Sequence, residues 1–194
     1  LGAVPKTYIP NYKEFYEERW FAGGAKSLSD SIMLCGQQAP FGVDLLFEAA
    51  EDCCICFGIE ICEDLWVPMP PSSYQAVAGA TILFNLSASN EIVGKYEYRK
   101  DLVKQQSGRC IAGYVYTSSG VDESTTDIVF GGHAIIAENG GVIAESERFA
   151  RHEQIVYADI DVERLVNDRL KNTSFMDAAS NKKFRKVTFK LKRI

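Results

Sequence analysis

The run Cys56-Phe57-Gly58-Ile59-Glu60-Ile61-Cys62-Glu63-Asp64-Leu65-Trp66 ends an apolar, β-prone stretch at a cysteine followed by two carboxylates. A strand here delivers Cys62 to the rim of a core. Pro68, Pro70 and Pro71 then force a turn, because proline neither donates to a ladder nor extends one. The sulfur is thereby presented rather than packed away, which is what a nucleophile needs. Lys6, in Val4-Pro5-Lys6-Thr7-Tyr8, is a cation that can stabilise a thiolate or a developing oxyanion if the fold brings it close. A histidine base is not indicated: His133 follows Gly131-Gly132 at a strand start and His152 lies between Arg151 and Glu153, so both read as satisfied or solvent-facing.

The remaining thiols read differently. Six cysteines occur, Cys35, Cys53, Cys54, Cys56, Cys62 and Cys110, and a chain of 194 residues does not need disulfide staples. Cys53, Cys54, Cys56 and Cys110 are expected to be buried as small hydrophobes. Cys54 and Cys56 share a strand face, but neither histidine falls at ligand spacing from them, so no metal site is expected.

The elements that must position these residues alternate in type. After the strand ending at Cys62, Pro71-Ser72-Ser73 caps a helix over 74–78 that Gly79 ends. A buried strand follows over 81–86, then a polar-faced helix over 95–107 stopped by Gly108, then a strand over 110–117. Asn139-Gly140-Gly141 between 132–137 and 142–145 is a hairpin signal. A strand is expected over 154–160, and Asp161 reads as the N-cap of a helix over 162–171. The pattern is mixed α/β without internal repeats.

With 46% hydrophobic and 24% charged residues, the composition is that of one globular domain, and no run approaches the roughly 18 apolar residues of a membrane helix. The opening residues, lacking a basic stretch followed by an apolar one, are not expected to act as a signal peptide. A cytoplasmic protein with no membrane partner is expected. The chain opens on Leu1-Gly2-Ala3-Val4, as if a strand were already under way, and is expected to be a fragment of a longer protein. Its net charge is −5, yet 181–194 holds seven Lys and Arg and no acid. An acidic body argues against a nucleic-acid face. Residues 180–194 are expected to be a basic C-terminal arm or the start of an interdomain linker, removable without unfolding the body.

Residues 4–17 together with Gly58-Ile59-Glu60-Ile61-Cys62-Glu63-Asp64-Leu65-Trp66-Val67-Pro68 resemble the carbon-nitrogen hydrolase (nitrilase) superfamily, and more narrowly the glutaminase domains of glutamine-dependent NAD synthetases. The narrower likeness rests on Asn85-Leu86-Ser87-Ala88-Ser89, Glu123-Ser124-Thr125-Thr126-Asp127 and Ala144-Glu145-Ser146-Glu147-Arg148-Phe149, which follow in the family's order. It covers 1–179 as a partial domain and implies a nitrilase-like α-β-β-α sandwich with mixed sheets, incomplete at the N-terminus.

It also implies a Glu-Lys-Cys triad. Cys62 would attack the side-chain amide of glutamine, with Lys6 and the backbone N–H of Glu63 holding the oxyanion. The proton-carrying glutamate would lie upstream of Lys6, before this chain begins, so little activity is expected of the chain alone. Tyr12, Ser89 and Lys95 fall where the family lines its glutamine pocket, and Trp66 is a candidate wall. Glu14 and Glu17 are candidates to steady Lys6, and the loop 123–127 is a candidate surface for a partner domain. The implied partners are glutamine, a synthetase domain that uses ATP and magnesium, and further copies of the protein. No cofactor is implied within this chain. The alternatives are a stand-alone amidase for another small amide and a noncatalytic assembly module.

Overall fold

The computed structural model describes residues 2–178 and 180–191. Strands β1 (Ser31–Leu34) and β2 (Gln37–Pro40) form a two-stranded hairpin beside the main sheet. The chain then runs through β3 (Leu45–Ala49), β4 (Cys56–Ile61), α1 (Pro71–Val77), β5 (Ile82–Ser87), α2 (Lys95–Cys110), β6 (Gly113–Ser118), β7 (Ala134–Glu138) and β8 (Gly141–Glu145). Helices α3 (Val162–Lys171) and α4 (Thr173–Asp177) and strand β9 (Arg185–Phe189) complete it.

Seven strands form one mixed sheet in the order β8-β7-β6-β5-β4-β3-β9. β4, β5 and β6 run parallel, so their C-terminal ends share one edge. β3–β4, β6–β7 and β7–β8 are antiparallel. This is the expected mixed α/β architecture.

Alternation along β4 sets the two faces: Cys56, Gly58 and Glu60 are buried, while Phe57, Ile59 and Ile61 are partly exposed. The buried face meets α1 and α2, and Leu46, Leu83, Tyr114, Tyr116 and Ile135 close the core there with Ala76 and Val103. Gly58 permits this contact, because a Cβ at that position would lie 2.3 Å from the Gln75 side chain of α1. Gln75 in turn donates to the Ile59 carbonyl at 2.8 Å. On the other face Phe57 packs against Phe47, Phe84 and Phe189 with ring centroids 4.9–5.4 Å apart.

Asp161 caps α3 as expected, accepting from the Arg164 N–H at 2.9 Å. From α3, Arg169 reaches into the core and donates to the carbonyls of Ile111, Ala76, Ala80 and Cys110. These carbonyls lie at or just beyond the C-termini of α1 and α2, where no helical partner remains for them.

Four expectations are corrected. Residues 154–160 join no strand, with Ile155 and Tyr157 turned out to solvent. α2 runs through Gly108 to Cys110 and ends on Ile111, held at φ 45°. Cys53 and Cys35 are exposed; of the four cysteines expected inside, Cys56 and Cys110 are buried and Cys54 is intermediate. The basic stretch is no free arm, because Arg185–Phe189 pairs in parallel with all of β3. Arg185 makes a two-pronged ion pair with Asp44 at 2.6 and 2.7 Å and donates to the carbonyls of Phe41 and Asp30. Lys192, Arg193 and Ile194 of that expected arm lie outside the described residues. Among the described residues, no helix is long and apolar enough to cross a membrane.

Candidate active site

Cys62 directly follows β4 and opens a short 3-10 turn, Cys62–Leu65. Its backbone is held at φ 50°, a left-handed conformation that costs a non-glycine residue about 1–3 kcal/mol and persists only where the surroundings enforce it. Two contacts do so. The Cys62 N–H donates to Asn85 Oδ1 at 3.2 Å, and the Asp64 carboxylate accepts from the Ile61 N–H at 2.9 Å. The next amide, that of Glu63, begins the turn and finds no acceptor among the described residues, so it remains free for an incoming oxygen.

A cavity of about 600 Å³ opens at the C-terminal edge of the parallel strands, and Tyr12, Cys62, Glu63, Trp66, Ser89 and Lys95 all line it. Cys62 comes from the end of β4, Ser89 from the segment after β5, and Lys95 from the first residue of α2, which Gly94 at φ 81° turns toward the opening. The Tyr12 hydroxyl bonds both Glu63 oxygens at 2.9 and 3.0 Å. Burial and the Glu63 carboxylate push the Tyr12 phenol up to about 12. Burial also raises the Glu63 carboxyl, against the Tyr12 hydrogen bond that lowers it.

Burial lowers the Lys95 ammonium, as does the charge of Arg99 one turn along α2. Lys95 lies over the Trp66 ring at 5.0 Å and donates to Asn90 Oδ1. Asn90 Nδ2 donates to Glu14 at 2.6 Å. The lining thus carries both acids, Glu14 and Glu63, and the Lys95 ammonium. Ser89 Oγ, in a residue only 2% exposed, has no hydrogen-bond partner.

Lys6 is not part of the cavity lining. Its ammonium pairs with Glu17 at 2.7 Å; burial raises the carboxyls of Glu63 and Asp64, the two residues after Cys62, and the Lys6 charge partly opposes that rise. Of the two glutamates considered for steadying it, Glu17 does so and Glu14 turns to Asn90 instead. Tyr12 meets Phe15 edge-on at 6.0 Å while also holding Glu63. Asp127, at the end of the 123–127 loop, reaches the cavity. His133 is buried and satisfied, accepting from Arg99 Nε at 3.2 Å and meeting Glu145 at 2.9 Å. Burial keeps its imidazole below the ordinary value. On the turn between β3 and β4, Asp52, Cys53 and Cys54 bring three ligand atoms within 4.8 Å of one another.

A model of the family described as carbon-nitrogen hydrolase matches residues 10–169. The chain belongs to the carbon-nitrogen hydrolase family. Its relatives include the glutamine-dependent NAD(+) synthetase of Mycobacterium leprae, 45% identical over 196 residues that cover 98% of this chain and 29% of that protein. The corresponding protein of Mycobacterium tuberculosis H37Rv is 44% identical across 100% of this chain and 28% of its own length. The chain therefore spans less than a third of the length of these curated relatives. Among solved structures, a glutamine-dependent NAD(+) synthetase from Cytophaga hutchinsonii superposes with a TM-score of 0.66 at 28% identity, covering 79% of this chain and 24% of that one. A carbon-nitrogen hydrolase from Helicobacter pylori G27, 22% identical, shares the fold with a TM-score of 0.59 over 90% of this chain and 56% of its own.

In this carbon-nitrogen hydrolase, sequence reading did not pick out Asn85, Asn90 or the part played by Asp64. Asn85 and Asn90 are isolated amides whose partners lie 23 and 76 residues away, a separation no local pattern carries. Asp64 did carry a signal, as an acid two residues after a cysteine that ends a strand.

Proposed function

We propose that this chain forms the glutaminase site of a glutamine-dependent NAD synthetase. The Cys62 sulfur bonds to the side-chain amide carbon of glutamine, the C–N bond breaks, and ammonia leaves with the transferred proton. Water then cleaves the thioester, giving glutamate and restoring the thiol. The free N–H of Glu63 and the Lys6 ammonium hold the negative oxygen in each step. Glu63 and Tyr12 receive the α-ammonium of the substrate, Lys95 and Ser89 its α-carboxylate, and Trp66 walls the methylenes.

The resemblance assigns the proton transfer to a glutamate upstream of the lysine in the family's order. The ammonia serves an ATP- and magnesium-dependent amidation of nicotinic acid adenine dinucleotide, carried out by a synthetase domain beyond these residues.

The observation that supports this reading most is the cavity that puts a strained cysteine, an unpartnered buried hydroxyl and charged groups of both signs around one volume, a match for a zwitterionic amino acid with a reactive tail. The test is labelling with a glutamine-derived diazo-ketone. One label should appear on Cys62, glutamine should protect it, acetamide should not, and Cys62→Ala should remove it. Earlier modification of Cys35 or Cys53, or protection by acetamide equal to that by glutamine, would refute the assignment.

A further inference from the structure

We infer that Asp64 is the positioning residue that holds Lys6 beside Cys62, an inference that rests on reading Cys62 as the nucleophile and Lys6 as its cationic partner. Asp64 is 1% exposed, and its carboxylate accepts three backbone N–H groups from two distant stretches of chain. Ile61, immediately before Cys62, donates to Oδ2 at 2.9 Å; Thr7 donates to the same oxygen at 3.3 Å and Tyr8 to Oδ1 at 2.8 Å. The two residues after Lys6 are thus fastened to the oxygens that also fix the last residue of β4.

Capping the 3-10 turn alone needs only the Ile61 bond, which a serine or asparagine supplies. The remaining acceptor capacity goes to the Lys6 segment. The other bonds of Lys6 lead away from Cys62: its carbonyl accepts from the Gly24 N–H at 2.7 Å and its ammonium pairs with Glu17. Among the described residues, every hydrogen bond from 6–8 to the Cys62 turn ends on Asp64. A buried carboxylate without a bonded cation is costly unless amide dipoles satisfy it. Burial raises this carboxyl, and the three backbone N–H bonds and then the Lys6 charge oppose the rise, so Asp64 favours the Lys6 segment nearby by charge as well as by backbone register.

Asp64→Asn keeps the volume and one acceptor but turns an NH₂ toward a backbone N–H. The test compares iodoacetamide alkylation of each cysteine, resolved by peptide mass spectrometry, in the unaltered chain, Lys6→Met, Asp64→Asn and the double variant. Lys6→Met should slow Cys62 about tenfold. Asp64→Asn should slow it comparably, and the double variant should be no slower than either, because both changes remove one interaction. Cys56 and Cys110 should stay unreacted throughout, whereas a general loosening of the core would expose them.

A slowing by Lys6→Met without one by Asp64→Asn, or effects that multiply in the double variant, would overturn the positioning role while leaving the nucleophile reading intact. No effect of Lys6→Met would overturn that reading and the inference with it. If Asp64→Asn does not fold, hydrogen exchange in the unaltered chain decides: Thr7 and Tyr8 amides protected like those of β4 support the inference, and exchange at open-chain rates overturns it.

Discussion

Replacing Glu60 with glutamine should abolish a pH dependence of stability whose sign and size follow from its surroundings. Glu60 is 1% exposed, accepts from the Tyr114 hydroxyl on one oxygen, and accepts from the Ser72 N–H on the other at 2.8 Å. Burial raises its carboxyl from 4.5 to about 7, with the Asp64 charge adding to the rise and the Tyr114 and Ser72 bonds opposing it. Between these values the folded chain keeps a proton that the unfolded chain has released. Stability therefore falls as pH rises through the window and is unaffected by Glu60 below it. Each tenfold change in proton affinity is worth about 1.4 kcal/mol, which makes the fall about 3 kcal/mol.

Glu60→Gln also leaves the Ser72 N–H facing an NH₂, a constant loss of about 1–3 kcal/mol at every pH. The diagnostic is therefore the change with pH of the difference between the two proteins. Urea unfolding at pH 4.5, 5.5, 6.5 and 7.5 measures it, and the subtraction cancels the same-sign contributions of Glu63 and Asp64, whose carboxyls are also raised. The gap between the unaltered chain and the variant should shrink by about 3 kcal/mol from the lowest pH to the highest. A constant gap would refute the reasoning.

Deleting residues 181–194 removes β9 and bares the edge of β3, where Leu45 and Leu46 are fully buried. Losing Phe184, Val187 and Phe189 should cost at least about 3 kcal/mol, and an unchanged urea midpoint would contradict the role of β9 as a structural strand. At Cys62, glycine relieves the left-handed backbone that alanine retains, so Cys62→Gly should be more stable than Cys62→Ala by about 0.5–1 kcal/mol after glycine's own entropic cost. Equal melting of the two variants would show that φ 50° is not strained here.

Where sequence and structure agree, the signal is local. The apolar run to Ile61, the cap at Asp161 and the turn at Asn139-Gly140 each depend on residues within a few positions, and each element formed where expected. Residues 154–160 and 185–189 show why the same rule fails elsewhere. The first is the more apolar, with Ile155, Val156, Tyr157 and Ala158 in a row, but only the second pairs with a strand. Val187 and Phe189 settle beside β3 while Lys186 turns outward to Glu48. A charge count hides that alternation, because a strand at a sheet edge tolerates lysines on its open face.

The candidate site divides along the same line. Cys62 and Lys6 are legible as types able to do chemistry and Tyr12 through the resemblance, yet the site also uses Asp64 and Asn90, ordinary polar residues whose bonds cross more than 50 residues of chain. The segment that carries Lys6 is tied to the Cys62 turn because a buried carboxylate needs amide donors, and Thr7 and Tyr8 offer two of them. Burial of a charge thus organises this site, and its requirement for partners at a distance is what ties the two chemically marked stretches together.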